Sequence, residues 1–105
     1  MKLGTLLSIC LLLLLSCNNE NTEELIPPIA NFNAAITLAE ENTTIQFTNT
    51  SQFGKTYSWS FEGANPTTST QQNPEVLYNT PGSYSVTLNV FNEDGSDSES
   101  KKQLY

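Results

Sequence analysis

Tyr84-Ser85-Val86-Thr87-Leu88-Asn89-Val90-Phe91, led in by Tyr78-Asn79-Thr80-Pro81-Gly82-Ser83 and followed by Asn92-Glu93-Asp94-Gly95, is the stretch whose reading decides the fold. Tyr84, Val86, Leu88 and Val90 alternate with Ser85, Thr87, Asn89 and Phe91, the period of a strand with one buried face. Pro81 fixes φ and Gly82 admits a positive one, so Thr80-Pro81-Gly82 predicts a turn into this strand. Asn92-Glu93-Asp94-Gly95 predicts a hairpin-type turn out of it. Upstream, Tyr57, Trp59 and Phe61 alternate with Ser58 and Ser60 in the same way, which predicts a second strand sharing the same core.

With these residues in view, the chain resembles the PKD (polycystic kidney disease) repeat, an immunoglobulin-like β-sandwich. The resemblance rests on Trp59-Ser60-Phe61 with Gly63 after it, and on Asn73-Pro74 leading to Val76-Leu77-Tyr78. It continues through Pro81-Gly82-Ser83-Tyr84-Ser85-Val86-Thr87-Leu88-Asn89-Val90 and Asn92-Glu93-Asp94-Gly95-Ser96-Asp97, and spans roughly Pro28 to Tyr105. The family commonly carries Asp after the Trp and another between two glycines after the Phe. This chain has Ser60 and Glu62-Gly63-Ala64-Asn65-Pro66, so no turn or cation role of those aspartates is carried over. The resemblance implies an all-β sandwich of about seven short strands, its last strand reading as truncated. It also implies contacts with proteins or carbohydrates, since such repeats in bacteria accompany secreted polysaccharide-degrading enzymes and proteases.

The other segments read as further strands and turns. Ile29 to Ala34 predicts a first strand with Ala30, Phe32 and Ala34 inward, continued after a kink by Ile36-Thr37-Leu38. Glu40-Glu41-Asn42 reads as a turn and Thr44 to Thr48 as a strand, closed by Asn49 to Gly54. Ala64 to Asn73 reads as a polar loop, and Val76-Leu77-Tyr78 as a brief strand. No segment after the N-terminal apolar run places apolar residues at helical spacing.

The chain opens with Met1-Lys2 and an apolar run through Leu15. That run is shorter than the roughly 20 residues of a spanning helix, so residues 1–16 read as an export signal. Leu14-Leu15-Ser16-Cys17 resembles a bacterial lipobox, in which Cys17 takes the lipid, palmitate among its acyl chains, and becomes the mature N-terminus. Residues 17–27 then form the lipidated Cys and an acidic tether with Glu20, Glu23 and Glu24, and residues 28–105 form the sandwich. Acids directly after a lipidated Cys are similar to surface-export signals of Bacteroidota lipoproteins, although a plain solvated linker has the same composition. The expected location is the outer membrane, lipid-anchored and facing the outside. Cys10 leaves with the signal, so the domain has no internal disulfide and must hold by packing.

Composition excludes several functions. The chain has no His and four Lys/Arg residues against eleven Asp/Glu, for a net charge of −7. Such a balance disfavours nucleic acid, whose phosphates require basic side chains. Without His, and with Cys17 blocked by lipid, the commonest general base and thiol nucleophile are missing. A carboxylate pair such as Glu62 and Glu75 is of the type that glycosidase-type work needs, but nothing in the sequence sets their separation or builds a cleft. Glu93, Asp94, Asp97 and Glu99 offer hard oxygens of a type suited to calcium, but their spacing matches no defined coordination loop. No cofactor is expected.

Trp59, Phe61, Tyr78, Tyr84, Val86, Leu88 and Val90 are assigned to the core, Trp59 there rather than to a sugar-stacking platform. Phe53, in a loop, and Phe91, out of phase with the inward residues of its strand, are the candidate binding residues. The expected function is a non-catalytic cell-surface module, a spacer or a binder of polysaccharide or surface protein. The alternative is the N-terminal part of a larger secreted polysaccharide-degrading enzyme or protease whose catalytic domain lies beyond Tyr105.

Overall fold

The computed structural model describes residues 23–34 and 41–104, with the side chains of 103 and 104 left aside. The signal segment, Cys17, most of the acidic tether and Ile36-Thr37-Leu38 lie outside the described residues. Among the described residues, eight strands form two four-stranded antiparallel sheets. They are β1 (Phe32–Ala34), β2 (Thr43–Asn49), β3 (Thr56–Phe61), β4 (Ala64–Asn65), β5 (Thr68–Ser69), β6 (Glu75–Tyr78), β7 (Ser83–Asn92) and β8 (Gly95–Leu104). One sheet is ordered β1-β2-β6-β4 and the other β5-β3-β7-β8. The all-β chain expected from the alternating residues, and the sandwich implied by the resemblance, are the fold observed.

Alternation places the core. Trp59 lies opposite Leu88 and Phe61 opposite Val86, and residues directly opposite in an antiparallel pair share a face. Together with Val90 they meet Phe32, Ile45, Phe47, Val76 and Tyr78 from the other sheet, all buried to within 1% of complete. Ala34, Tyr57 and Tyr84 pack against this cluster while half-buried. Each fully buried large apolar side chain contributes about 1.5–3 kcal/mol relative to exposure.

Four aromatic rings form the centre of the core. Trp59 stacks on Phe61 with centroids 5.5 Å apart and an 11° interplanar angle, meets Phe32 edge-on at 5.2 Å and lies 5.7 Å from Phe47. The Trp59 indole Nε1 donates to the carbonyl of Gln71 at 2.8 Å. This bond ties the segment after β5 to the core, since an indole N–H buried without a partner would be costly.

The stretch from Ala64 to Asn73 departs from the expected loop. Ala64–Asn65 pairs with β6 and Thr68–Ser69 pairs with β3, so the chain changes sheet between them and closes one side of the sandwich. Strands of two residues show no periodicity, so this polar stretch carries no strand signal in the sequence. Ile29 to Ala34 also differs in detail, for only Phe32–Ala34 joins the ladder to β2, while Ile29 makes an isolated bridge to Gln52.

The opposite side of the sandwich, between β1 and β8, is closed by side chains. β8 pairs with β7 residue for residue, from Asn92↔Gly95 to Ser83↔Leu104. Opposite the buried Val90, Leu88 and Val86 it places Asp97, Glu99 and Lys101. Inward-facing charges of this kind keep an edge strand from pairing with another chain. Here two of them also take backbone groups of the N-terminal segment, which runs alongside β8.

Candidate functional site

Three segments converge at the β7–β8 turn. The first is the N-terminal segment from Leu25 to Ile29, the second the β2–β3 loop around Phe53, and the third Phe91 to Asp94. Asn92 joins them through one amide: its Nδ2 donates to the carbonyls of Ile26 (2.9 Å) and Phe53 (2.8 Å), and its Oδ1 accepts from Asp94 N (2.7 Å). Lys55 N donates to the Phe91 carbonyl at 2.8 Å, and Ile29 and Gln52 exchange both backbone bonds.

The consequence is an apolar pole. Leu25 (67% exposed), Ile26 (47%), Ile29 (51%), Phe53 (57%) and Phe91 (41%) are all the exposed large hydrophobic residues among the described ones, and all lie on these three segments. Phe53 sits at φ 59°, a left-handed conformation that costs a non-glycine residue about 1–2 kcal/mol. Gly54 follows it because a Cβ there would lie 2.6 Å from Val90 Cγ1. The loop is thus pressed backbone-first onto the end of the core, and the Phe53 ring is turned outward.

The acids read as weak calcium candidates have protein partners here. Asp94 Oδ2 accepts from Ile26 N at 2.9 Å, and Asp97 Oδ2 accepts from Ala30 N at 2.8 Å. Lys101 Nζ donates to the Phe32 carbonyl at 2.5 Å and stands 4.8 Å above the Phe32 ring. Two carboxylates and one ammonium therefore fasten the N-terminal segment along β8 where a backbone ladder is lacking. Glu93 pairs with Lys55 at 2.7 Å; that hydrogen bond is the main cause holding the Glu93 carboxyl below its usual range and raising the Lys55 ammonium. Both side chains are exposed, so the pair orders the tip more than it stabilises the fold. Among the described residues no group of three or more His, Cys, Asp or Glu is arranged to hold a metal ion.

Asp97→Ala is expected to lower stability by about 1–3 kcal/mol, because it orphans the Ala30 N–H beside a residue only 6% exposed. Asp97→Asn retains an acceptor oxygen and loses less. Urea denaturation of the three proteins decides the matter: equal midpoints would mean that Asp97 carries no such load.

The other residues singled out in the sequence are placed as follows. Trp59, Phe61, Tyr78, Val86, Leu88 and Val90 are buried; Tyr84 is half-buried, its ring 4.8 Å from that of Tyr78 and its hydroxyl donating to the Thr80 carbonyl at 2.7 Å. Glu62 Oε1 accepts from Ser85 N at the end of the β3–β7 ladder, whereas Glu75 lies exposed on β6 of the other sheet. Cys17 lies outside the described residues.

A family model for the PKD domain matches residues 29–104. The chain belongs to the PKD domain family. Among solved structures, the PKD1 domain of the Vibrio cholerae metalloprotease PrtV is similar at 34% identity and a TM-score of 0.60, over 75% of this chain and 96% of that one. The PKD1 domain of Vibrio anguillarum Epp has a TM-score of 0.64 at 23% identity, over 77% of this chain and 95% of that one, a likeness of fold alone. No curated protein matches. As a PKD domain, the sandwich is a non-catalytic module.

Proposed function

We propose that this protein is a surface-anchored lipoprotein in which Cys17 carries the lipid and the PKD domain serves as spacer and binding module at the outer membrane. The observation that carries this reading is the direction of the chain through the domain. Ile26 is held at the β7–β8 turn, and β8 then runs ten residues to Leu104, opposite Ser83 at the far end. At about 3.4 Å per residue this displaces the chain by roughly 30 Å from the pole that holds Ile26, as a spacer requires. Phe53 and Phe91 are the binding residues of this reading, for a polysaccharide or a surface protein. A second reading, the front module of a larger secreted polysaccharide-degrading enzyme or protease, is favoured by the similarity to a domain of a metalloprotease.

The test is the intact mass of the native protein recovered from the detergent phase of a membrane fraction. The expected species begins at a diacylated and N-acylated Cys17. A mass that fits the 89 residues from Cys17 plus acyl chains favours the stand-alone module, a much larger lipidated species favours the second reading, and an unlipidated one sinks the anchor.

A further inference from the structure

We propose that the apolar pole of Leu25, Ile26, Ile29, Phe53 and Phe91 is a membrane-contacting foot, which seats the domain with its β7–β8 turn against the lipid surface that holds the Cys17 acyl chains. The inference rests on the lipoprotein reading, adds an orientation to it, and assigns Phe53 and Phe91 to lipid contact in place of a polysaccharide or a surface protein.

Three observations combine. The first is that exposed hydrophobic side chains are concentrated at one pole, whereas scattered single ones would need no explanation. The second is which pole it is. Ile26 is pinned there by Asp94 and Asn92, so only eight residues lie between the anchor at Cys17 and the folded surface, a span of about 30 Å over nine steps when fully extended. The tether thus enters the domain at this end and holds it within about 30 Å of the membrane. The third is strain: Phe53 holds an aromatic ring in solvent from a left-handed backbone that the Asn92 amide secures. Strained backbone of this kind clusters at active sites, ligand clamps and switch regions.

Energetics permit a weak contact to suffice. A short tether raises the effective concentration of the pole at the bilayer to roughly millimolar or more, so a few partly inserted side chains keep it seated. Interfacial apolar groups of this sort reach about 5–10 Å into the boundary between headgroups and acyl chains. Charge selects the lipid. Glu23 and Glu24 precede the pole, and Glu93 and Asp94 form its turn, facing Lys55 and Ile26 N respectively. A surface with four carboxylates and one nearby ammonium seats on zwitterionic headgroups and is repelled by anionic ones.

The test uses the mature lipidated protein in phosphatidylcholine vesicles, with Phe53→Trp at the pole and Ser83→Trp at the far end of β7. Trp59 is buried and gives a constant background. With bromine on the upper acyl chain, Phe53→Trp is expected to show blue-shifted emission and to lose roughly half of the added signal, while Ser83→Trp keeps its own. Replacing part of the phosphatidylcholine by phosphatidylglycerol should reduce the quenching at position 53. If both variants float with the vesicles and position 53 is quenched no more than position 83, the anchor stands and the foot is refuted. If the protein does not float at all, the lipoprotein reading has failed and takes the foot with it.

Discussion

Trp59→Ala is expected to remove about 3–5 kcal/mol of stability, the range for deleting a large aromatic side chain from a core. A domain of this size holds roughly 4–11 kcal/mol in all, so the variant should be largely unfolded at modest urea. The size of the effect follows from the position of the indole. It is 1% exposed and within 6 Å, centroid to centroid, of Phe32, Phe47 and Phe61, which come from β1, β2 and β3. Deleting it leaves three rings facing a void too apolar to be filled by water. Trp59→Phe separates packing from hydrogen bonding: it keeps most of the ring contact but abandons the Gln71 carbonyl, and should cost about 1–3 kcal/mol. The measurement is a urea titration followed by far-UV circular dichroism and tyrosine fluorescence, with the slope checked for constancy. A Trp59→Ala midpoint close to that of the parent would mean that the indole is not the centre of the core.

The parts of this fold that were legible in the sequence are those where a long strand alternates against a full sheet. β7 spans ten residues and its Val86, Leu88 and Val90 all face inward, so the period of two repeats often enough to be read. β3 is shorter, but Trp59 and Phe61 make its inward face unambiguous. β8 is just as long as β7 and gives no such signal, because its inward positions are Asp97, Glu99 and Lys101. At this open edge Asp97 and Lys101 meet the Ala30 N–H and the Phe32 carbonyl, for which charged side chains are the better partners. The pattern that marks a core strand is therefore missing from a strand that is fully formed.

The candidate site was legible only in pieces. Phe53 and Phe91 stand out as aromatic residues in a loop and out of phase, and both are exposed. What joins them to Ile26 and Ile29 is a set of bonds between residues far apart in sequence: Asn92 to Phe53 spans 39 positions and Asn92 to Ile26 spans 66. No local pattern encodes such a junction. The same holds for Asp94 and Asp97, which in sequence are acids near a turn, and in three dimensions are acceptors for Ile26 N and Ala30 N, 68 and 67 positions away. Their neighbours in the chain carry no trace of those partners.

Gly63→Ala is the second large effect expected, about 2–4 kcal/mol, and it arises from the backbone and a ring together. Gly63 has φ 79°, where an L-residue with a Cβ loses about 1–2 kcal/mol. A Cβ built there would also overlap the Tyr84 ring at Cε1 and Cδ1. That ring is not free to step aside, since it packs 4.8 Å from Tyr78 and its hydroxyl is bonded to the Thr80 carbonyl at 2.7 Å. Displacing it adds an overpacking cost of about 1–3 kcal/mol, part of which is recovered as the corner relaxes. Tyr84→Ala tells the two causes apart. In that background the overlap is gone, so Gly63→Ala should cost only the backbone share, and the double-mutant cycle should show a coupling of about 1–2 kcal/mol. Additive losses across the cycle would refute the clash and leave the left-handed backbone as the sole reason for glycine at this corner.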